Sequence, residues 1–117
     1  VRAREYFQRV REASRDAQSA RQQLESASTN AVQAIRSKAL KSRIGRDEEL
    51  IEQCENLLYG ELSTRLSPRQ ADVLWLRYAE DRPWKQVAHA LGISITTARE
   101  AANRALEVCD DLNLLSI

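Results

Sequence analysis

The sequence has little of what interrupts a helix. Three glycines and two prolines in 117 residues leave few places where a helix has to stop. No stretch sustains the alternation of β-branched and polar residues that marks a strand. Together these scarcities exclude a sheet protein and predict an all-α chain. Cys54 and Cys109 are the two cysteines and His89 the one histidine, so no ligand set for zinc is expected, and the cysteines read as buried reduced thiols rather than a disulfide. No apolar run approaches the length of a membrane span, and the first residues lack the apolar core of a secretion signal; a cytoplasmic protein without a membrane partner is expected. Methionine is absent, which carries no functional weight. A charge balance of one sign is also missing. The net charge is +1, so any grip on nucleic acid has to come from local clustering of charge. There is no glycine-rich phosphate loop and no Ser or Cys placed to form a relay with His89. Asp110 and Asp111 are adjacent and diverge on a helix. No catalytic residue, metal, cofactor or small-molecule substrate is therefore expected.

What is present is a succession of amphipathic helices. From about Ala3 to Ala27, Tyr6, Phe7, Val10, Ala13, Ala17, Ala20 and Leu24 recur every three or four residues, a thin alanine-rich stripe that lets a second helix approach closely. Ser26 to Asn30 reads as an interruption. Asn30 with Gln33 has capping-box spacing for a second helix that carries Val32, Ile35 and Ala39 as far as Gly45. Asp47 then reads as the cap of a third helix, with Glu48 and Glu49 in its first turn and a full apolar stripe at Leu50/Ile51, Cys54, Leu57/Leu58 and Leu62. A stripe this full needs cover, and a second copy of the chain is the expected source. The basic run Arg36, Lys38, Lys41, Arg43 and Arg46 precedes the first acid of this region. A solvated helix end and a phosphate contact both fit it.

The second half is more sharply punctuated. Ser67, Pro68 and Gln70 form a capping box with proline at the first helical position. Val73, Leu74, Leu76 and Tyr78 follow on a helix that breaks at Glu80 to Pro83. Pro83 opens a short helix ending near Leu91, Gly92 supplies a left-handed turn residue, and Ser94 caps a long helix from about Ile95 to Leu112. Val87, Ala88 and Leu91 on the first helix of this pair, and Ala98, Ala102, Ala105, Leu106 and Cys109 on the second, have core spacing, with Ile93 as the apolar plug of the turn. The tail from Leu112 to Ile117 is apolar enough to predict that it folds back.

Two helices joined by a glycine turn can place the second in a DNA major groove. From Arg82 to Leu106 there are four basic residues against the single acid Glu100, whereas the whole segment from Ser67 onward has six basic and seven acidic residues. The positive charge is thus confined to the motif. Arg, Asn and Thr suit base edges, and Arg and Lys at the flanks suit phosphates. Thr96, Arg99 and Asn103 are the expected base contacts; Arg82, Lys85, Thr97 and Arg104 are the expected phosphate contacts. For Arg104 an inward salt bridge to Glu80 or Asp81 is the structural alternative. Trp75 and Trp84 read as packing residues.

The residues Leu66-Ser67-Pro68-Arg69-Gln70, Val73 to Tyr78, Trp84 to Ala88, Leu91 to Ser94, Thr97-Ala98-Arg99 and Arg104-Ala105-Leu106 resemble region 4 of bacterial sigma-70-type factors. The resemblance covers Leu66 to Leu112. It implies a helix-turn-helix that binds promoter DNA and can contact RNA polymerase. Gln86, where that family usually has an acid, and Glu100, on the helix meant for DNA, depart from the pattern. The whole layout, with Tyr78 and Trp84 at the step into the motif, is similar to small phage and prophage regulators of the ArpU/RinA type, which implies control of late or packaging genes. The expected architecture is all-α: a helical extension over 1–65, coiled-coil-like or a hairpin, and a sigma-like helix-turn-helix domain over 66–117. The expected partners are double-stranded DNA, a second copy of the chain and RNA polymerase.

Overall fold

The computed structural model describes residues 2–26 and 31–112. Helix α1 (Ala3–Glu25) and helix α2 (Ala31–Asn56) lie antiparallel as a hairpin. The last turns of α2 loosen into a π-helical turn over Leu57–Glu61. Helix α3 (Pro68–Leu74) runs into a second π-helical turn over Trp75–Ala79, and α4 (Trp84–Leu91) and α5 (Ile95–Asp111) complete the fold. The described residues contain helices and connections only, as the scarcity of breakers predicts. The molecule is elongated, 50 × 32 × 19 Å, with a radius of gyration of 16.4 Å where a compact chain of this length would have about 13 Å.

One hydrophobic core joins both halves. Tyr6, Phe7 and Val10 of α1 and Cys54 of α2 bury into the same cluster as Leu58, Leu62, Leu74, Val87, Ala98 and Leu106. Phe7 is fully buried, with its ring edge-on to Tyr6 at 5.2 Å and tilted against Tyr78 at 5.7 Å. The stripe from Leu50 to Leu62, expected to need a second copy, is therefore covered within one chain. Beyond Val10 the hairpin seam thins to Ala13, Ala17, Ala20 and Leu40. Both cysteines are free and buried. Burial pushes their thiols up, to about 12 for Cys54 and about 11 for Cys109, which leaves them inert as nucleophiles at neutral pH.

Three local expectations are corrected. The break at Gly45 and the cap at Asp47 do not exist: α2 runs without interruption through both residues. A glycine inside a helix costs roughly 1 kcal/mol, and contacts along the hairpin outweigh it. Arg43 Nε donates to Asp16 Oδ2 at 2.8 Å, and Arg21 pairs with Glu48. Asp47, freed from capping, faces Asp16 instead. Pro83 is also one residue outside its predicted place, standing at the N-cap of α4 with extended backbone rather than as its first helical residue. The predicted interruption at Ser26 holds to the extent that α1 ends at Glu25 with Ser26 as C-cap. The predicted cap at Asn30 and the tail Asn113 to Ile117 lie outside the described residues.

Candidate nucleic-acid interface

The second half of the chain builds its elements from local chemistry. Ser67 Oγ accepts from Gln70 N at 3.2 Å while Gln70 Oε1 accepts from Ser67 N at 3.0 Å, so α3 starts with the predicted box and proline behind the cap. Helix α4 ends at Gly92, with φ 65° and ψ 35°, a left-handed conformation in which a Cβ is strained. There Gly92 N donates to His89 O and Ile93 N to Ala88 O, at 3.2 and 3.0 Å, closing the helix end and folding the half-buried Ile93 onto the core. Ser94 Oγ accepts from Thr97 N at 3.0 Å and so caps α5. The turn, the plug and the cap together set the angle between α4 and α5.

Helix α5 separates its faces as its spacing predicts. Ala98, Ala102, Ala105, Leu106 and Cys109 are buried; Thr96, Arg99, Glu100, Asn103 and Arg104 are exposed. Ile95, 42% exposed, continues the open face to the start of the helix. The hairpin does not cover this surface. It touches α5 from one side, where Ala3 N donates to Asp110 Oδ1 at 2.7 Å and Arg4 Nη2 to Asn103 Oδ1 at 3.4 Å.

The seven residues singled out for DNA fall into three groups. Thr96, Arg99 and Asn103 share the outward side of α5. Lys85 and Arg82 line a shallow depression on α4 with Gln86 and His89; Arg82 is paired with Glu80 at 2.8 Å. Thr97 and Arg104 line a small cleft between α5 and the start of α3, with Glu100 between them and Arg69 opposite. Thr97 is half-buried, and its hydroxyl oxygen accepts from Ser94 Oγ at 2.8 Å, which leaves the Thr97 proton free to donate outward. Among the described residues Arg99, Lys85 and Arg104 form no salt bridge. The alternative for Arg104 is thereby removed. Arg11 and Arg15 take Asp81, at 2.5 and 2.8 Å, and Arg82 takes Glu80. Arg104 sits on the far flank of α5.

Trp84 links these groups. The Arg77 guanidinium lies 4.8 Å from its ring centre and that of Arg99 5.8 Å, so the indole packs, as predicted, and also orients an arginine of α5. Arg69, Arg77 and Arg4 were not among the predicted residues. Arg69 lies inside the capping box, where its local signal is that of a helix start. Nothing near Arg4 in the sequence could place it beside α5.

The Asp81 corner joins α1 to the turn before α4, through Arg11 and Arg15. Asp81 has a positive φ of 51°, uncommon for a side chain with a Cβ. Burial opposes its charge, but hydrogen bonds from Arg11 and Arg15 outweigh it and keep the carboxyl below its usual range. Residues 57–109, just under half of the chain, match the family described as sigma-70, region 4. Comparisons with curated proteins and with solved structures give no match.

Proposed function

We propose that this chain, built around its sigma-70 region 4-like helix-turn-helix domain, is a sequence-specific regulator of transcription that lays α5 in the major groove of double-stranded DNA. The observation that carries this reading is the exposed outer face of α5 from Ile95 to Arg104, with Arg99, Lys85 and Arg104 at or beside it and without a salt bridge among the described residues. Thr96, Arg99 and Asn103 contact base edges. Lys85 and Arg82 hold phosphates on the α4 side, and Thr97 and Arg104 on the α3 side. The layout shared with small phage and prophage regulators supports a role in late or packaging gene control, exercised in the cytoplasm. A second copy would set two half-sites about one helical turn apart, roughly 34 Å. Its support is narrower than the sequence suggested: among the described residues of the hairpin, Ile35, 75% exposed, is the large apolar side chain open to it. A single monomeric species in sedimentation at all concentrations would remove the second copy.

Selection of duplexes from a random pool, followed by a salt titration, tests the reading. Binding should fall steeply with ionic strength, because each neutralised phosphate releases counterions. Arg99→Ala should cost about 1–3 kcal/mol on the selected duplex and little on random DNA. Lys85→Ala should weaken both alike. Equal loss on both duplexes for Arg99→Ala would overturn its assignment as a base reader.

A second reading has one observation in its favour. Tyr59, 45% exposed, meets the half-buried Trp75 edge-on at 6.3 Å and donates to Asp72 Oδ1 at 2.6 Å, an amphipathic aromatic pair of the kind found at protein interfaces. In this reading the domain docks on RNA polymerase or a partner factor without reading DNA. Salt-indifferent complex formation would favour it.

A further inference from the structure

Helix α1 lies outside the segment that matches the sigma family, yet it brings a row of arginines to the edge of the recognition surface. Arg4, Arg11 and Arg15 are separated by seven and four residues, which returns them to one side of an α-helix. Each touches the helix-turn-helix. Arg4 donates to Asn103 on α5, and Arg11 and Arg15 donate to the two oxygens of Asp81 in the turn before α4. The surface then continues without a gap: Arg77 Nη1 donates to Arg82 O at 3.1 Å, Arg77 lies over one part of Trp84, and Arg99 of α5 approaches the same ring. Among the described residues Arg11 and Arg15 share Asp81, Arg82 takes Glu80, and Arg77 beside them forms no salt bridge. Burial, and after it the charge of Arg11, lower the Arg77 guanidinium from its ordinary value. The corner therefore holds more positive charge than the protein neutralises, and an anion is the complement it lacks.

We infer that this edge, with Arg4 and Arg15 as its contact residues, binds the sugar–phosphate backbone of the duplex whose groove α5 enters. The inference rests on the DNA-reading proposal and extends it to a part of the chain that no helix-turn-helix supplies. Arg4 is exposed and Arg15 has 55% of its side chain exposed, whereas Arg11, at 18%, is the anchor that fixes α1 to the turn. Arg4 and Arg15 are about three helical turns apart, roughly 16 Å, comparable to the rise of about five base pairs along the duplex axis. Both serve the phosphate backbone and not base edges, so their contribution is independent of sequence.

The test is the slope of log affinity against log salt for the full chain on the selected and on random duplexes. Arg4→Gln and Arg15→Gln should each make the slope shallower by about 1, weaken both duplexes by the same factor, and together lower the slope by about 2. Arg15→Lys keeps the charge and should restore the slope. Arg21→Gln removes an equal charge from the distal part of the same helix, about 25 Å from Arg4, and should leave the slope at the wild-type value. Circular dichroism melting of each variant separates lost contacts from lost structure. Wild-type slopes for folded Arg4→Gln and Arg15→Gln, with the wild type itself salt-steep, would overturn the edge and leave the groove reading standing. A wild type that binds no duplex would remove both.

Discussion

The end of the molecule that contains the helix-turn-helix and the far end of the hairpin are held by different forces. Around α3, α4 and α5, large side chains are fully buried: Phe7, Leu58, Leu62, Leu74, Val73 and Val87. Along the distal hairpin the buried side chains among the described residues are Ala13, Ala17, Ala20 and Leu40, stitched by Arg43–Asp16 and Arg21–Glu48 at its margins. Apolar burial contributes roughly 25 cal/mol per Å², so an alanine seam stabilises far less per turn than a seam of leucine and phenylalanine. Partly exposed ion pairs add about 0–1 kcal/mol each and weaken in salt. One end is thus a packed platform that fixes a recognition surface. The other is a marginal extension, sensitive to salt and pH.

The largest effect is expected where the two regions meet. Phe7→Ala should cost about 3–5 kcal/mol in urea denaturation and, because Phe7 reaches Tyr78 from α1, should loosen both regions together. Loss confined to the hairpin by hydrogen exchange would show that the platform has a core of its own. The next effect comes from one substitution made in each region. Gly92→Ala forces a Cβ into a left-handed turn and should destabilise the platform by about 1 kcal/mol or more. Gly45→Ala sits mid-helix, exposed, with nothing within 4 Å of the added Cβ, and should stabilise the hairpin by about 0.5–1 kcal/mol. Thermal melting reads both signs, and equal signs would break the contrast.

The smallest effect is a pH dependence confined to the hairpin. Asp47 Oδ2 is buried without a partner. Burial first, then the neighbouring Asp16, pushes the Asp47 carboxyl up to about 6, while Asp16, beside Asp47 and paired with Arg43, is held below its ordinary value. The folded Asp47 binds its proton more tightly than the unfolded one does. Its stabilisation is therefore present below the unfolded value of 3.8 and is lost as pH rises through about 6. Discounted for solvent, the effect is about 0.2–1 kcal/mol. Asp47→Asn should flatten this slope in hairpin hydrogen exchange and leave that of the platform unchanged. An unaltered slope in the variant would assign the pH dependence elsewhere.

The two regions also differ in how much of them could be read beforehand. The Ser67 box, the left-handed Gly92, the Ser94 cap and the inward and outward sides of α5 all follow from residues within a few positions of one another. Ala98, Ala102, Ala105, Leu106 and Cys109 of α5 are buried as expected, while Thr97, expected on or near the outer face, is half-buried. In the hairpin, Gly45 and Asp47 carry local signals for a stop and a cap, and both are overruled. The reason is that neither signal exceeds about 1–2 kcal/mol, less than the contacts a continuous helix makes along its partner. The Leu50 to Leu62 stripe, expected to meet a second copy, instead packs within the chain, because an apolar face specifies burial without specifying against what.

Amino-acid order alone determined the all-helical class, the turn geometry between α4 and α5 and which side chains face outward there, since short-range caps, glycine stereochemistry and helical periodicity are local properties. Only the three-dimensional packing decided that α1 docks on the side of α5, that Arg11 and Arg15 share Asp81, and that the apolar stripe closes within one chain. These contacts join residues at opposite ends of the sequence, as Ala3 joins Asp110. Their free energy exists only once the core has brought both ends together.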